Sequence, residues 1–181
     1  MSAARGNVKL FTCVLFFALG VPSSAQAPTS DSILIGKVHM SLGATKSSVL
    51  SALQEDYSVL DQGTGSDDFF IKEKGRSADA SFDGFVSFRE GKLSSVTKPW
   101  NLVGPNTGQA LSRAIYGAFA TFGKSTEQCN ISRFDDQEPT MEKKGVAVSC
   151  GQRSVVIFTS HVVIGSKTVE LAVVNEVLGE H

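Results

Sequence analysis

The chain has 181 residues, a mass of 19.2 kDa and a formal net charge of -1, from 17 Lys+Arg against 18 Asp+Glu. A length of this order holds one domain, and 41% hydrophobic with 19% charged residues marks a globular chain and not a disordered tail. The balanced charge argues against a nucleic-acid binder built on a general basic field, which needs a cationic excess to displace counterions.

The first 25 residues predict a secretory signal peptide. Arg5 and Lys9 are cationic with no acid near them, Leu10 to Val21 is apolar, and Ser23-Ser24-Ala25 offers small residues for cleavage after Ala25. The apolar run is about 12 residues where a spanning helix needs about 20. No other stretch predicts a transmembrane segment. Cys13 lacks the small residues of a lipoprotein box before it, so an exported protein without a lipid anchor is expected, periplasmic or extracellular. Cleavage removes Arg5 and Lys9, leaving about 15 cations against 18 anions.

Residues 26–32 are polar and Pro-containing, which predicts a flexible leader. The remainder, 33–181, reads as a single α+β domain with possible halves at 33–100 and 101–181. Ile33 to Met40 predicts an extended segment. Thr45 is a suitable N-cap for a short helix ending near Asp56, with Val49, Leu50, Leu53 and Tyr57 on its apolar face. Three β-like segments follow. In Phe82 to Arg89 the alternation places Phe82, Gly84, Val86 and Phe88 on one face, and Asp83, Phe85, Ser87 and Arg89 on the other. Glu90-Gly91 predicts a tight turn into a strand over Lys92 to Thr97.

Pro99 to Pro105 is a connector carrying Trp100, the one tryptophan. A second helix is capped by Asn106 or Thr107 and stopped by Gly123. Its broad apolar stripe comprises Ala110, Leu111, Ala114, Ile115, Ala118, Phe119 and Phe122. Small residues, Gly117 among them, suit close packing on a sheet. The last third predicts strands over Glu127 to Phe134, Gly145 to Cys150, Arg153 to Val163 and Thr168 to Leu178. Asp135 to Lys144 reads as a charged loop, and Gly165-Ser166 as a hairpin turn.

Two cysteines remain after cleavage, Cys129 and Cys150, an even number that in an exported chain points to a disulfide. Buried free thiols are the alternative. A metal site is disfavoured because no histidine pair lies near. Partners in an antiparallel hairpin have constant summed numbers. The register that joins the cysteines also pairs Ile131 with Val148 and Arg133 with Val146, leaving small or polar Asn130, Ser132, Ala147 and Ser149 on the other face.

No catalytic residue, metal or cofactor is expected. Gly-x-Ser-x-Gly is absent, no histidine lies at helix-turn spacing from another or from an acid that could orient His39 or His161, and His181 is the terminal residue. Asp67-Asp68, Asp135-Asp136 and Glu138 read as solvated loop acids, and Gln62 to Ser66 as a turn lacking the Lys-Ser/Thr of a phosphate loop. Phe85 is different. It falls on the otherwise polar face of its strand, so Phe85 and Trp100 are candidate anchors for a binding surface, unless a helix or loop covers them.

Gly43-Ala44-Thr45 with Val49, Leu50 and Leu53, followed by Phe85-Val86-Ser87-Phe88-Arg89-Glu90-Gly91-Lys92-Leu93, resembles the SmpA/OmlA family of small outer-membrane assembly proteins over residues 40–98. The resemblance implies helices on an antiparallel sheet, an architecture shared with the β-lactamase inhibitor protein, which stacks two such units. It also implies action by binding, with no catalytic residues. The expectation is therefore an α+β chain of two helices packed against antiparallel sheet, possibly two tandem helix-plus-meander units. It would serve as a protein-binding module of the bacterial cell envelope, in outer-membrane assembly or maintenance, with a protein partner and no nucleic acid. A secreted enzyme inhibitor, presenting Asp135 to Lys144, and a hydrolase using scattered acids are the alternatives.

Overall fold

The computed structural model describes residues 32–63, 65–78, 80–100, 107–123, 127–138, 141–164 and 167–179. The expected signal peptide, residue 106 as a cap and the 165–166 turn lie outside them. Two short strands, β1 (Ser32–Ile35) and β2 (Val38–Ser41), form a separate two-stranded sheet. Helix α1 (Lys46–Leu53) follows, then β3 (Tyr57–Asp61), β4 (Asp68–Glu73), β5 (Gly84–Arg89) and β6 (Lys92–Pro99). Helix α2 (Thr107–Phe122) leads into β7 (Cys129–Glu138), β8 (Met141–Cys150), β9 (Arg153–Ile164) and β10 (Lys167–Gly179). The eight strands β3 to β10 make one antiparallel sheet in the order β3-β4-β5-β6-β10-β9-β8-β7.

The expected α+β class is overturned. Strands take 59% of the described residues and helices 18%, so this is a mostly antiparallel β-sheet protein and not an α+β one. The run α1 with β3 to β6 and the run α2 with β7 to β10 share one continuous sheet, because β6 pairs with β10. Both expected helices are present, and what the sequence understated is strand. The long charged strands carry no conspicuous apolar signature.

Local chemistry explains the short elements. The Thr45 hydroxyl accepts from the Ser48 amide at 3.3 Å and satisfies one of the unpaired donors of α1. Glu90 and Gly91 both adopt positive φ, 54° and 71°, as a two-residue primed turn requires. A bulge after Ser87 lets both Leu93 and Val96 of β6 face inward. Tyr57, expected on the face of α1, instead opens β3 and is buried there, because α1 ends at Leu53 with Gln54 as its C-cap.

Two apolar clusters form the core. In the first, Val49 and Leu53 of α1 meet Ile33, Ile35 and Met40 of the small sheet over Phe69, Ile71, Val86, Phe88, Leu93 and Val96. In the second, Ala114, Ala118 and Phe122 of α2 lie over Val148, Cys150, Val155, Ile157 and Val174. Gly117 permits the approach, since a Cβ there would stand 2.8 Å from the Trp100 ring. Four of the seven residues of the expected α2 stripe are buried and Leu111 is half-buried, but Ile115 and Phe119 face outward at 45% and 56% exposure.

The cysteines are joined in a disulfide, and β7 pairs with β8 in the register deduced from it. That register continues to Glu138 opposite Met141. Residues 135–138 and 141–144 are therefore strand and not the expected loop. Asp135 faces Lys144 and Asp136 faces Lys143, so opposite charges meet across the ladder and the charged run is stable as strand. Among the described residues no helix is long and apolar enough to cross a membrane.

Candidate protein-binding surface

Alternation in β4 sends Phe69 and Ile71 into the first cluster and Phe70 and Lys72 to the opposite face. In β5, Val86 and Phe88 point inward and Phe85 points out. The ladder then sets Leu60, Phe70, Phe85 and Thr97 in one row across β3, β4, β5 and β6. The Phe70 and Phe85 rings are 5.4 Å apart, tilted by 55°.

Phe82 joins this row from the loop before β5. Sequence alternation placed it inward with Gly84, Val86 and Phe88, but its ring stacks on Phe70 at 4.4 Å and 18°. The space inward of Gly84 is filled by Ile35, whose Cδ1 would be 2.4 Å from a Cβ at Gly84. The strand begins only at Gly84, so its alternation does not extend back to Phe82.

Polar bonds hold the loop in place. The Asp83 carboxylate accepts from the Glu73 amide and the Arg76 guanidinium, both at 2.7 Å, and the Asp83 amide donates to the Ile71 carbonyl at 2.8 Å. The Lys72 ammonium donates to the Ala78 carbonyl at 2.6 Å and lies 5.8 Å from the Phe82 ring centre. Phe82 is 39% exposed and Leu60 45%, while Phe70 and Phe85 are half-buried. The result is a small aromatic platform with a cation at its rim, suited to apolar or aromatic side chains of a partner.

Trp100 does not belong to this surface. Its backbone amide donates to the Val174 carbonyl at 2.8 Å, its ring packs against the second cluster beside Gly117, and its Nε1 donates to Glu176 at 3.1 Å. The Glu176 carboxylate also binds Arg153, through Nε at 2.7 Å and through Nη2. Glu176 is 5% exposed, so Arg153 balances a buried anion at one oxygen and the Trp100 N–H satisfies the other. Phe85 and Trp100 thus lie on opposite faces of the sheet.

Two further polar groupings exist. A surface recess of about 410 Å³ is lined by Gly36, Lys37, Glu55, Asp56, Tyr57, Glu73 and Lys74. Lys74 donates to the Gln54 and Glu55 carbonyls at the end of α1, so its charge serves the helix terminus. Burial, and then the carboxylates of Asp83, Glu73 and Asp56, push the Tyr57 hydroxyl above its usual pKa. Elsewhere, register brings Glu142 and Glu170 to either side of His161, which sequence proximity had not revealed. The closest approaches, 3.9 and 3.8 Å, are too long for hydrogen bonds. Glu142 instead bonds Lys144 at 2.5 Å, a contact that lowers the carboxyl pKa and raises that of the ammonium. Among the described residues no group of three or more His, Cys, Asp or Glu is placed to hold a metal ion.

The sequence singled out Phe85 but gave no register for β4 against β5, so it could not place Phe70 or Phe82 beside it. The Phe69-Phe70 doublet was the available signal, since two consecutive strand residues cannot share a face. Compared with known proteins, the chain matches no family model, no curated protein and no solved structure.

Proposed function

We propose that this chain is a non-enzymatic protein-binding module of the bacterial cell envelope, related to the SmpA/OmlA proteins, and that Phe82, Phe70 and Phe85 anchor its partner. The observation that carries this reading is the exposed aromatic platform on the sheet face away from the first cluster. A stacked pair of phenylalanines left open to water costs hydrophobic free energy, about 25 cal/mol per Å², that a partner recovers. The signal-like N-terminus and the disulfide support an oxidising, extracytoplasmic setting. The occupant is an apolar or aromatic segment of another envelope protein.

The test is cross-linking capture from envelope extract with Phe82→Ala and Phe85→Ala. Both should lose the captured partner. Phe82→Ala should cost under about 1 kcal/mol in urea unfolding, because its ring is already partly hydrated. Capture undiminished in the double variant would remove the platform as the binding site. Trp100→Ala belongs among the fold controls, since its ring supports the core.

A further inference from the structure

The last strand of the sheet, β7, has ten residues, nearly all exposed, and no strand beyond it among the described residues. The opposite edge, β3, has five. Cys129 and Cys150 face each other with Cα atoms 4.2 Å apart, the spacing of a non-hydrogen-bonded antiparallel pair. It follows that Cys129, Ile131, Arg133, Asp135 and Gln137 direct their amides and carbonyls away from β8, toward the free edge. These groups form a ready-made template for another strand.

We propose that the occupant is the same edge of a second copy, paired antiparallel with Phe134 on the two-fold axis. A two-fold axis normal to a continuous sheet brings residues of equal parity opposite each other, which leaves few registers. Centring on Arg133 opposes Arg133 to itself. Centring on Asp135 or Asp136 opposes like carboxylates, and centring on Gln137 sets Asp136 against Glu138. Centring on Phe134 sets Arg133 against Asp135 of the second copy twice over, with Ser132 against Asp136 and Ile131 against Gln137, and no like charges meet. Centring on Ser132 brings no like charges together but sets Arg133 against Ile131, so Phe134 is the one centre that pairs Arg133 with an acid within β7. Charges on an edge strand ordinarily guard against pairing; here their attraction favours this register. In it the outward backbone groups of Arg133 and Asp135 exchange hydrogen bonds, and Ile131, 60% exposed, gains the stem of Gln137. The aromatic platform on β4 and β5 lies toward the other end of the sheet, so this association stands independently of it.

Phe134 would form a non-hydrogen-bonded pair with its own copy, Cα atoms about 4.5 Å apart, within reach of a disulfide. Phe134→Cys in the purified chain should therefore oxidise to a covalent dimer. Ser132→Cys should not, since its two copies stand about 14 Å apart. Sedimentation equilibrium should find a concentration-dependent dimer that weakens with salt. Arg133→Glu should weaken it about tenfold, and the exchange Arg133→Asp with Asp135→Arg should restore it. Because Phe134 touches Phe158, with ring centres 6.0 Å apart, the charge series decides the matter if the cysteine variant does not fold. A monomer at every concentration, equal cross-linking at 132 and 134, or failure of the exchanged pair to recover association would overturn the proposal.

Discussion

The two ends of the eight-stranded sheet are held by different forces. At the β3–β6 end, thirteen buried residues converge, closed over by α1 and the β1–β2 sheet. At the β7–β10 end the cluster has eight, two of them alanines, and β7 buries almost nothing. The second end relies on directional bonds: the ten-pair β7–β8 ladder, the disulfide, and the Arg153–Glu176–Trp100 group. Non-directional burial tolerates changes of shape if volume is kept. Directional bonds fail outright when one member is lost, because the partner is stranded.

This contrast is open to direct attack. Leu53, fully buried in the first cluster, should be the costliest single truncation. Leu53→Ala is expected to lower unfolding free energy by about 4 kcal/mol in urea titration, whereas the volume-conserving Leu53→Met should cost about 1. Glu176→Ala should cost about 3 kcal/mol, toward the low end for breaking a buried pair because the Arg153 side chain keeps 18% of its exposure. A cost near zero would mean that the second end does not depend on its ion pair.

Reduction of the Cys129–Cys150 bridge, which spans 21 residues of sequence, should cost about 2.5 kcal/mol. Hydrogen exchange should locate the loss in β7 and β8 and leave β4 to β6 protected. Uniform loss across the sheet would show that the ends are one cooperative unit. The smallest effect concerns Tyr57. Its hydroxyl pKa is raised in the folded chain, so the neutral form is favoured there. Its contribution is present below the ordinary tyrosine pKa, near 10, and is lost as pH climbs through the raised value. Alkaline unfolding should be displaced to higher pH in Tyr57→Phe, and an unchanged alkaline limb would remove Tyr57 from the first end's account.

Much of the local structure was legible because its causes lie within a few residues. The Thr45 cap, the Glu90-Gly91 turn, the Gly123 stop on α2 and the β7–β8 register all follow from short-range chemistry or from a single covalent constraint. The same register, carried two pairs further, would have matched Asp135 with Lys144 and revealed strand where charge alone suggested loop. The aromatic site was half legible: Phe85 declared itself by alternation. Phe82 lies before β5 begins and stacks on Phe70 of β4, and no local pattern reports that contact.

Short-range chemistry in the sequence, then, set the turns, the caps and the β7–β8 pairing, because hydrogen bonds, φ preferences and one covalent bridge act locally. Tertiary structure decided the rest. It joined β6 to β10, made the sheet dominant over the helices, and brought the Trp100 indole to a carboxylate 76 residues away. It also chose which aromatic rings stay in water. Those outcomes depend on which surfaces compete for burial once the whole chain is assembled, and burial has no direction that a stretch of sequence can encode.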